Sequence, residues 1–199
     1  MSKIDRRVLK TKNAINKAFI ELLSERDFDD ITINAISERA NVNRGTIYLH
    51  YTDKFDLLNK CIEDHLNNMS EFCTLEKQGE ERFDVFHSLL PMFQYFEEHY
   101  LFYSSMLSNK GTSRFHDKMM SMTINEMNER IKMGDINQGL NKEVVVQYMA
   151  SAFVGVVEWW IKNNMPHSPQ FMAQQLWSIF ESSNFPVHEW WSSNGSNEQ

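Results

Sequence analysis

Apolar residues recur at steps of three and four along most of the chain, the repeat of an amphipathic helix. Val8, Ile15, Ala18, Phe19, Leu22 and Leu23 line one side of a helix over residues 6–25, and its basic residues project largely from the other. The stretch RDFDD breaks the pattern. Thr32 can then cap a short second helix carrying Ile33, Ile36 and Ala40, its hydroxyl accepting from a free backbone N–H. Asn41 falls where a tight turn needs positive φ, which asparagine tolerates, and Asn43 can cap a third helix over residues 44–50. Helix, short turn, helix is the spacing of a helix-turn-helix, here spanning roughly residues 32–51. Asp53 caps a long fourth helix through Phe55, Leu58, Ile62, Leu66 and beyond Met69.

After the polar segment 77–81, helical periodicity returns over residues 83–96, 100–107, 115–133, 144–161 and 171–180. No two-residue alternation joined by a tight Gly or Asn turn occurs, so no hairpin is expected. The fold class is therefore all-α: a head of three short helices, joined by the fourth helix to a C-terminal bundle of about five more. We place a helix-turn-helix DNA-binding domain at residues 1–60, a regulatory and dimerisation bundle at 61–184, and a tail at 185–199 whose end, SSNGSNEQ, has the composition of disorder.

Composition adds an aromatic, Met-rich interior, from 14 Phe, 12 Met, 5 Trp and 6 Tyr. Charge alters the picture more. The net charge of −7 argues against a nucleic-acid binder, but residues 1–60 hold 11 Lys and Arg against 9 Asp and Glu, leaving 9 against 18 in the rest. A basic head precedes an acidic body, and within the first 20 residues Lys3, Arg6, Arg7, Lys10, Lys12 and Lys17 face only Asp5. Cys61 and Cys73 alone support neither a disulfide scaffold nor a four-ligand zinc site. The N-terminus has no apolar core behind its basic residues, and no apolar run approaches the roughly 20 residues that span a bilayer. A soluble, cytoplasmic protein with no membrane partner is expected.

A recognition helix offers base edges the side chains of its N-terminal half, while neighbouring groups hold phosphates. Here that half reads Asn43, Arg44, Gly45, Thr46. Arg44 can donate a bidentate pair to guanine O6 and N7, Asn43 can cap the helix or meet phosphate, and Gly45 leaves room for close approach. Thr46 suits a base edge or a phosphate. Tyr48 and His50 are candidate phosphate contacts, although the Tyr48 ring could equally pack inside the head. Ile47 and Tyr51 fit core positions by spacing. Lys54, in the first turn of the fourth helix, opposes the helix dipole unless an anion is near, which favours a DNA-facing role over simple solvation.

At these residues the chain resembles the tetracycline-repressor (TetR) family, dimeric all-α bacterial regulators with such a head and a C-terminal regulatory bundle. The resemblance lies in ITINAISERANVNRGTIYLHYTDKFDLL and covers about residues 8–60. It implies DNA contacts from Thr32, Asn43, Arg44, Gly45, Thr46, Tyr48, His50 and Lys54. Two residues depart from the family pattern: Asn41 replaces the usual turn glycine, and Leu49 stands where a larger polar or aromatic residue is common. The segment YMASAFVGVVEWWIKNNMPHSPQFMAQQLWSIF is similar to the last two helices of a Firmicutes-type subgroup. That similarity implies a homodimer through a four-helix interface. Its candidate residues are Ser151, Ala152, Phe153, Gly155, Val156 and Trp160, with Phe171, Gln175, Leu176 and Ile179. An ordinary buried core remains the alternative for these positions.

The resemblance also implies a small apolar or aromatic ligand in the bundle. Phe86, Phe93, Phe96, Tyr103, Met106, Met122, Met127 and Trp159 are candidate liners, and each could be plain core instead. The implied function is a repressor released from a palindromic double-stranded DNA operator by that ligand, or alternatively switched by a partner protein. No cofactor is expected. No His pair has the i, i+4 spacing of a helical metal site, and His99 and His116 with Cys73 or Glu98 would have to meet from different helices. With no Gly-rich phosphate loop and no Gly-x-Ser-x-Gly elbow, an enzyme is not expected.

Overall fold

The computed structural model describes residues 3–74, 85–108, 113–130 and 140–182. These form nine α-helices: α1 (Lys3–Glu25), α2 (Ile33–Arg39), α3 (Arg44–Tyr48), α4 (Lys54–Thr74), α5 (Val85–Glu98), α6 (Tyr100–Ser108), α7 (Ser113–Arg130), α8 (Lys142–Lys162) and α9 (Pro169–Ser182). A single 3-10 turn, Phe28–Asp30, separates α1 from α2. No strand occurs among the described residues, so the all-α expectation holds. The polar segment 77–81, the tail 185–199 and the end of the helix expected to reach residue 133 lie outside the described residues.

The chain divides into two compact units, Met1–Leu66 with Tyr100–His116, and Asn67–His99 with Asp117–Gln199. This differs from the expected boundary at residue 60. The reason is aromatic packing: α6 lies on α1, and the His65 ring stacks on Phe102 at 3.8 Å while meeting Tyr103 edge-on. Phe102 and Tyr103 in turn pack against Phe115. Helix α6 and Phe115 therefore share a core with the head.

In the first unit Ile15, Phe19 and Leu22 of α1 are buried, as are Phe28, Ile31, Ile36 and Ile47, and the Phe19 and Phe28 rings meet edge-on at 6.3 Å, while Val8 nearer the start of α1 stays exposed. Cys61 lies in the same interior, where burial pushes its thiol up to about 12 and keeps it protonated. Two polar devices fasten this core. Arg39 at the end of α2 reaches back to α1, donating to both Glu25 carboxylate oxygens at 2.7 Å, with Glu21 3.6 Å away. Lys54 is the second. Its ammonium donates to the carbonyls of Phe28 and Asp29 at 2.9 Å and of Ile31 at 3.0 Å, above the Phe28 ring at 4.7 Å. Three donors meet three carbonyls, so one cation ties the 3-10 turn to the start of α4.

In the second unit α5 packs on α9. Phe93, Phe96, Val154, Val157 and Trp160 are fully buried, and the Trp160 Nε1–H donates to the His167 carbonyl at 2.8 Å. Among the described residues α8 alone is long and apolar enough to cross a membrane, contrary to the expectation that no segment reached that length. Half of its most apolar stretch is buried within the unit.

Two consequences can be measured. The Arg39 guanidinium holds the Glu25 carboxyl below its ordinary value of 4.5, chiefly by their hydrogen bond. A depressed carboxyl contributes stability that is complete above its unfolded pKa and lost as pH falls through the folded one. Glu25→Gln should therefore lower the melting temperature at neutral pH, and the difference from the parent chain should shrink as pH falls below the ordinary carboxylate range. Lys54→Met strands three carbonyls and should cost about 2 kcal/mol in urea unfolding. An unchanged midpoint would mean that the ammonium does not hold the turn.

Candidate nucleic-acid interface

The turn between α2 and α3 is built from backbone chemistry that neighbouring residues dictate. The Thr32 hydroxyl oxygen accepts from the Ala35 N–H at 3.2 Å and starts α2. Asn41 takes φ 53°, and the Val42 N–H reaches the Ser37 carbonyl at 3.0 Å, closing the helix end with a left-handed residue. Asparagine thus fills the place where the family favours glycine without breaking the geometry. Asn43 then caps α3, its Oδ1 accepting from the Gly45 N–H at 2.9 Å.

Helix α3 is five residues long, two fewer than expected, with Leu49 as its C-cap. Ile47 is wholly buried and pins the helix to the head. Tyr51 is buried too, and its hydroxyl donates to Asn16 Oδ1 of α1 at 2.9 Å; burial pushes its pKa up to about 12. Asp53 caps α4 through the N–H groups of Phe55 and Asp56, while Asp56 Oδ2 accepts from the Thr52 N–H in return. Both ends of α3 are thus fixed by the elements around it.

What remains outward is the candidate interface. Asn43, Arg44 and Gly45 are exposed, Thr46 and His50 are half-buried, and Tyr48 keeps 46% of its surface. The two readings of Tyr48 resolve towards the outer face: Arg44 Nη2 donates to its hydroxyl at 3.1 Å and the guanidinium lies 5.5 Å from its ring. His50 sets its ring edge-on to Tyr51 and gives its carbonyl to Lys60. Thr32 is exposed beside the start of α2. Lys54 is placed differently from expectation. The 3-10 turn's carbonyls supply the negative partner its position demands, so its charge does not require a phosphate. Leu49, not among the expected contacts, is 80% exposed on this same helix.

The other candidate residues separate into interior and surface. Phe93 and Phe96 are core, Met122 and Met127 are half-buried, and Tyr103 and Met106 are buried in the first unit, apart from the rest. The Phe86 side chain lies outside the described residues. Trp159 is not an interior liner: it is 48% exposed, whereas its neighbour Trp160, expected at an interface, is fully buried against Phe93. Phe153 and Leu176 are likewise core, at 6% and 4% exposure, because they share the buried side of their helices with Val157 and Ala173. Val156 is half-buried; Ser151, Ala152, Gly155, Phe171, Gln175 and Ile179 are exposed. Val144 and Tyr148, not among the expected interface residues, extend that exposed side of α8. His99 and His116 fall in different units, and among the described residues no three metal-ligating side chains come together.

Comparison with known proteins matches both regions of the chain. A profile described as bacterial regulatory proteins of the tetR family matches residues 15–61, and one described as a transcriptional regulator C-terminal region matches residues 84–182. The HTH-type transcriptional regulator YxbF of Bacillus subtilis is 24% identical over 183 residues, covering 86% of this chain. The chain spans only 45% of the length of YxbF. The HTH-type negative transcriptional regulator IcaR of the Staphylococcus aureus biofilm operon is 27% identical over 143 residues, 69% of each chain. A solved TetR transcriptional regulator from Streptococcus agalactiae superposes with a TM-score of 0.65 at 26% identity, over 88% of this chain and 96% of that one. With the head and the C-terminal region each matched in place around a capped helix-turn-helix, this chain belongs to the TetR family of helix-turn-helix transcriptional regulators.

Proposed function

We propose that the chain is a homodimeric repressor that reads a palindromic operator with one α3 helix per half-site. The observation that carries this reading is the outer face of α3, where Arg44 stands exposed beside Tyr48 on a helix capped by Asn43 and anchored by Ile47. Arg44 would read guanine, while Thr32, Asn43, Thr46, Tyr48 and His50 would meet the DNA backbone, and Lys54 would position the head from behind. The sign of regulation is taken from IcaR, a negative regulator by name.

Dimerisation draws support from α8. Val144, Tyr148, Ser151, Ala152, Gly155 and Trp159 recur at i, i+4, i+7, i+8, i+11 and i+15, one exposed stripe opposite the buried one. At the end of α8 the rings of Trp159, His167 and Phe171 follow one another, with centroids 6.3 and 4.5 Å apart, and carry the surface onto α9. A Cβ added to Gly155 would meet nothing within 4 Å, so the protomer itself has no need of glycine there, and a second copy of α8 could approach closely. Release by a small apolar or aromatic ligand rests on the family resemblance and the aromatic interior. The alternative switch, a partner protein on the bundle, would leave that interior filled.

Arg44→Ala should weaken operator binding by about 1–3 kcal/mol in gel shifts at fixed salt, and unchanged affinity would remove its base-reading role. Gly155→Arg should leave the protomer folded and shift sedimentation from dimer to monomer. A dimer that persists would place the interface elsewhere.

A further inference from the structure

We propose that Leu49 is a specificity-determining residue that recognises the C5-methyl group of a thymine in each half-site. The inference rests on the DNA-reading role of α3 and concerns what that helix reads beyond Arg44.

At about 100° per residue, the positions diametrically opposite the buried Ile47 are Gly45 and Leu49, one turn apart. The Leu49 N–H donates to the Gly45 carbonyl at 3.2 Å, so the two share a ridge along the outer face. Arg44 and Tyr48 flank this ridge on one side, Thr46 and His50 on the other. Its middle is therefore not one of the polar side chains usually asked to read bases.

Two observations say that the ridge is shaped for contact. Leu49 is 80% exposed, the highest value among the described exposed large apolar residues, so its isobutyl group is free to gain by burial against an apolar partner. Gly45 is the second. Glycine weakens a helix, and nothing inside the head demands it, since an added Cβ would find only Asn43 Oδ1 at 3.5 Å, an ordinary contact. Its missing side chain bares the ridge towards the outside, letting the helix come close and leaving Leu49 as the group that projects furthest along that line.

The floor of the major groove consists of hydrogen-bond donors and acceptors with one apolar exception, the thymine methyl. A leucine has no donor or acceptor, so it cannot select among the polar patterns. It can select the methyl, by burying it and by leaving the competing exocyclic amines and carbonyl oxygens without partners. Arg44, at the start of α3, and Leu49, its C-cap, would then read a guanine and a thymine from neighbouring parts of the same short helix.

The test uses the full chain and the duplex recovered by selection from random-sequence DNA. Each thymine of the half-sites is replaced in turn by deoxyuridine, which removes only the methyl, and binding is compared for the parent chain and Leu49→Ala. The parent should lose about fourfold per half-site at one thymine position, and Leu49→Ala should lose nothing there while binding the thymine duplex more weakly. Reselection with Leu49→Gln should change the preferred base at that position and leave the guanine of Arg44 unaltered. Equal losses for parent and Leu49→Ala at every uridine, or no loss at all, would overturn the assignment while the DNA-reading role stands. Failure to enrich any duplex would overturn that role, and the Leu49 assignment with it. Unchanged melting of both variants would confirm that folding is not the cause, as expected for a side chain so exposed.

Discussion

A helix of five residues cannot hold itself together in water. Its nucleation cost falls on too few hydrogen bonds to be recovered, so α3 exists only because its surroundings impose it. The imposition runs through a single side chain, the fully buried Ile47, with Asn43 closing one end and Tyr51, bonded to Asn16 of α1, anchoring the residues just past the other. Every outward direction on α3 is set by that one inward direction. The fastening of the surrounding elements follows from the same need: Arg39 fixes α2 to α1, and Lys54 fixes the 3-10 turn to α4, so the walls around Ile47 keep their places.

The second unit solves a different problem on the same principle. Here the helices are long enough to persist, and what must be decided is which side of each is interior. On α8 the decision is made between two adjacent tryptophans. Trp160 goes in, satisfying its indole N–H on the His167 carbonyl and packing edge-on to Phe93; Trp159 goes out and meets His167 from the other side. The loop carrying His167 therefore serves the core with its backbone and the surface with its ring.

The features legible in the sequence are those whose physics is local. Thr32, Asn41, Asn43 and Asp53 act on backbone groups within a few residues, so their roles could be read from order alone, and the structure places each where that reading did. The carbonyl partners of Lys54, those of Phe28, Asp29 and Ile31, lie 23 to 26 residues earlier, and no spacing rule reaches across that gap. Which of Trp159 and Trp160 faces inward is not legible, because neighbouring residues differ by only about 100° on a helix, less than the width of an apolar stripe in so hydrophobic a segment. Chain order suggests the bundle for Tyr103 and Met106, whereas their core is shared with residues from the head. Leu49 stands out in the sequence as a departure from the family pattern, but its exposure follows from how Ile47 orients α3.

The contact between Arg44 and Tyr48 bears on how sharply α3 can discriminate. A guanidinium resting on its own tyrosine, with a hydroxyl to bond and a ring to lie against, already has a second home. In the proposed role, an Arg44 facing a base pair without matching acceptors would not be stranded in the groove; it would fold back onto Tyr48 and recover part of what it gave up. The penalty for a wrong base would then be capped at the difference between two bound states of one side chain. A reader built this way would reject mismatches gently and tolerate related operators of graded strength.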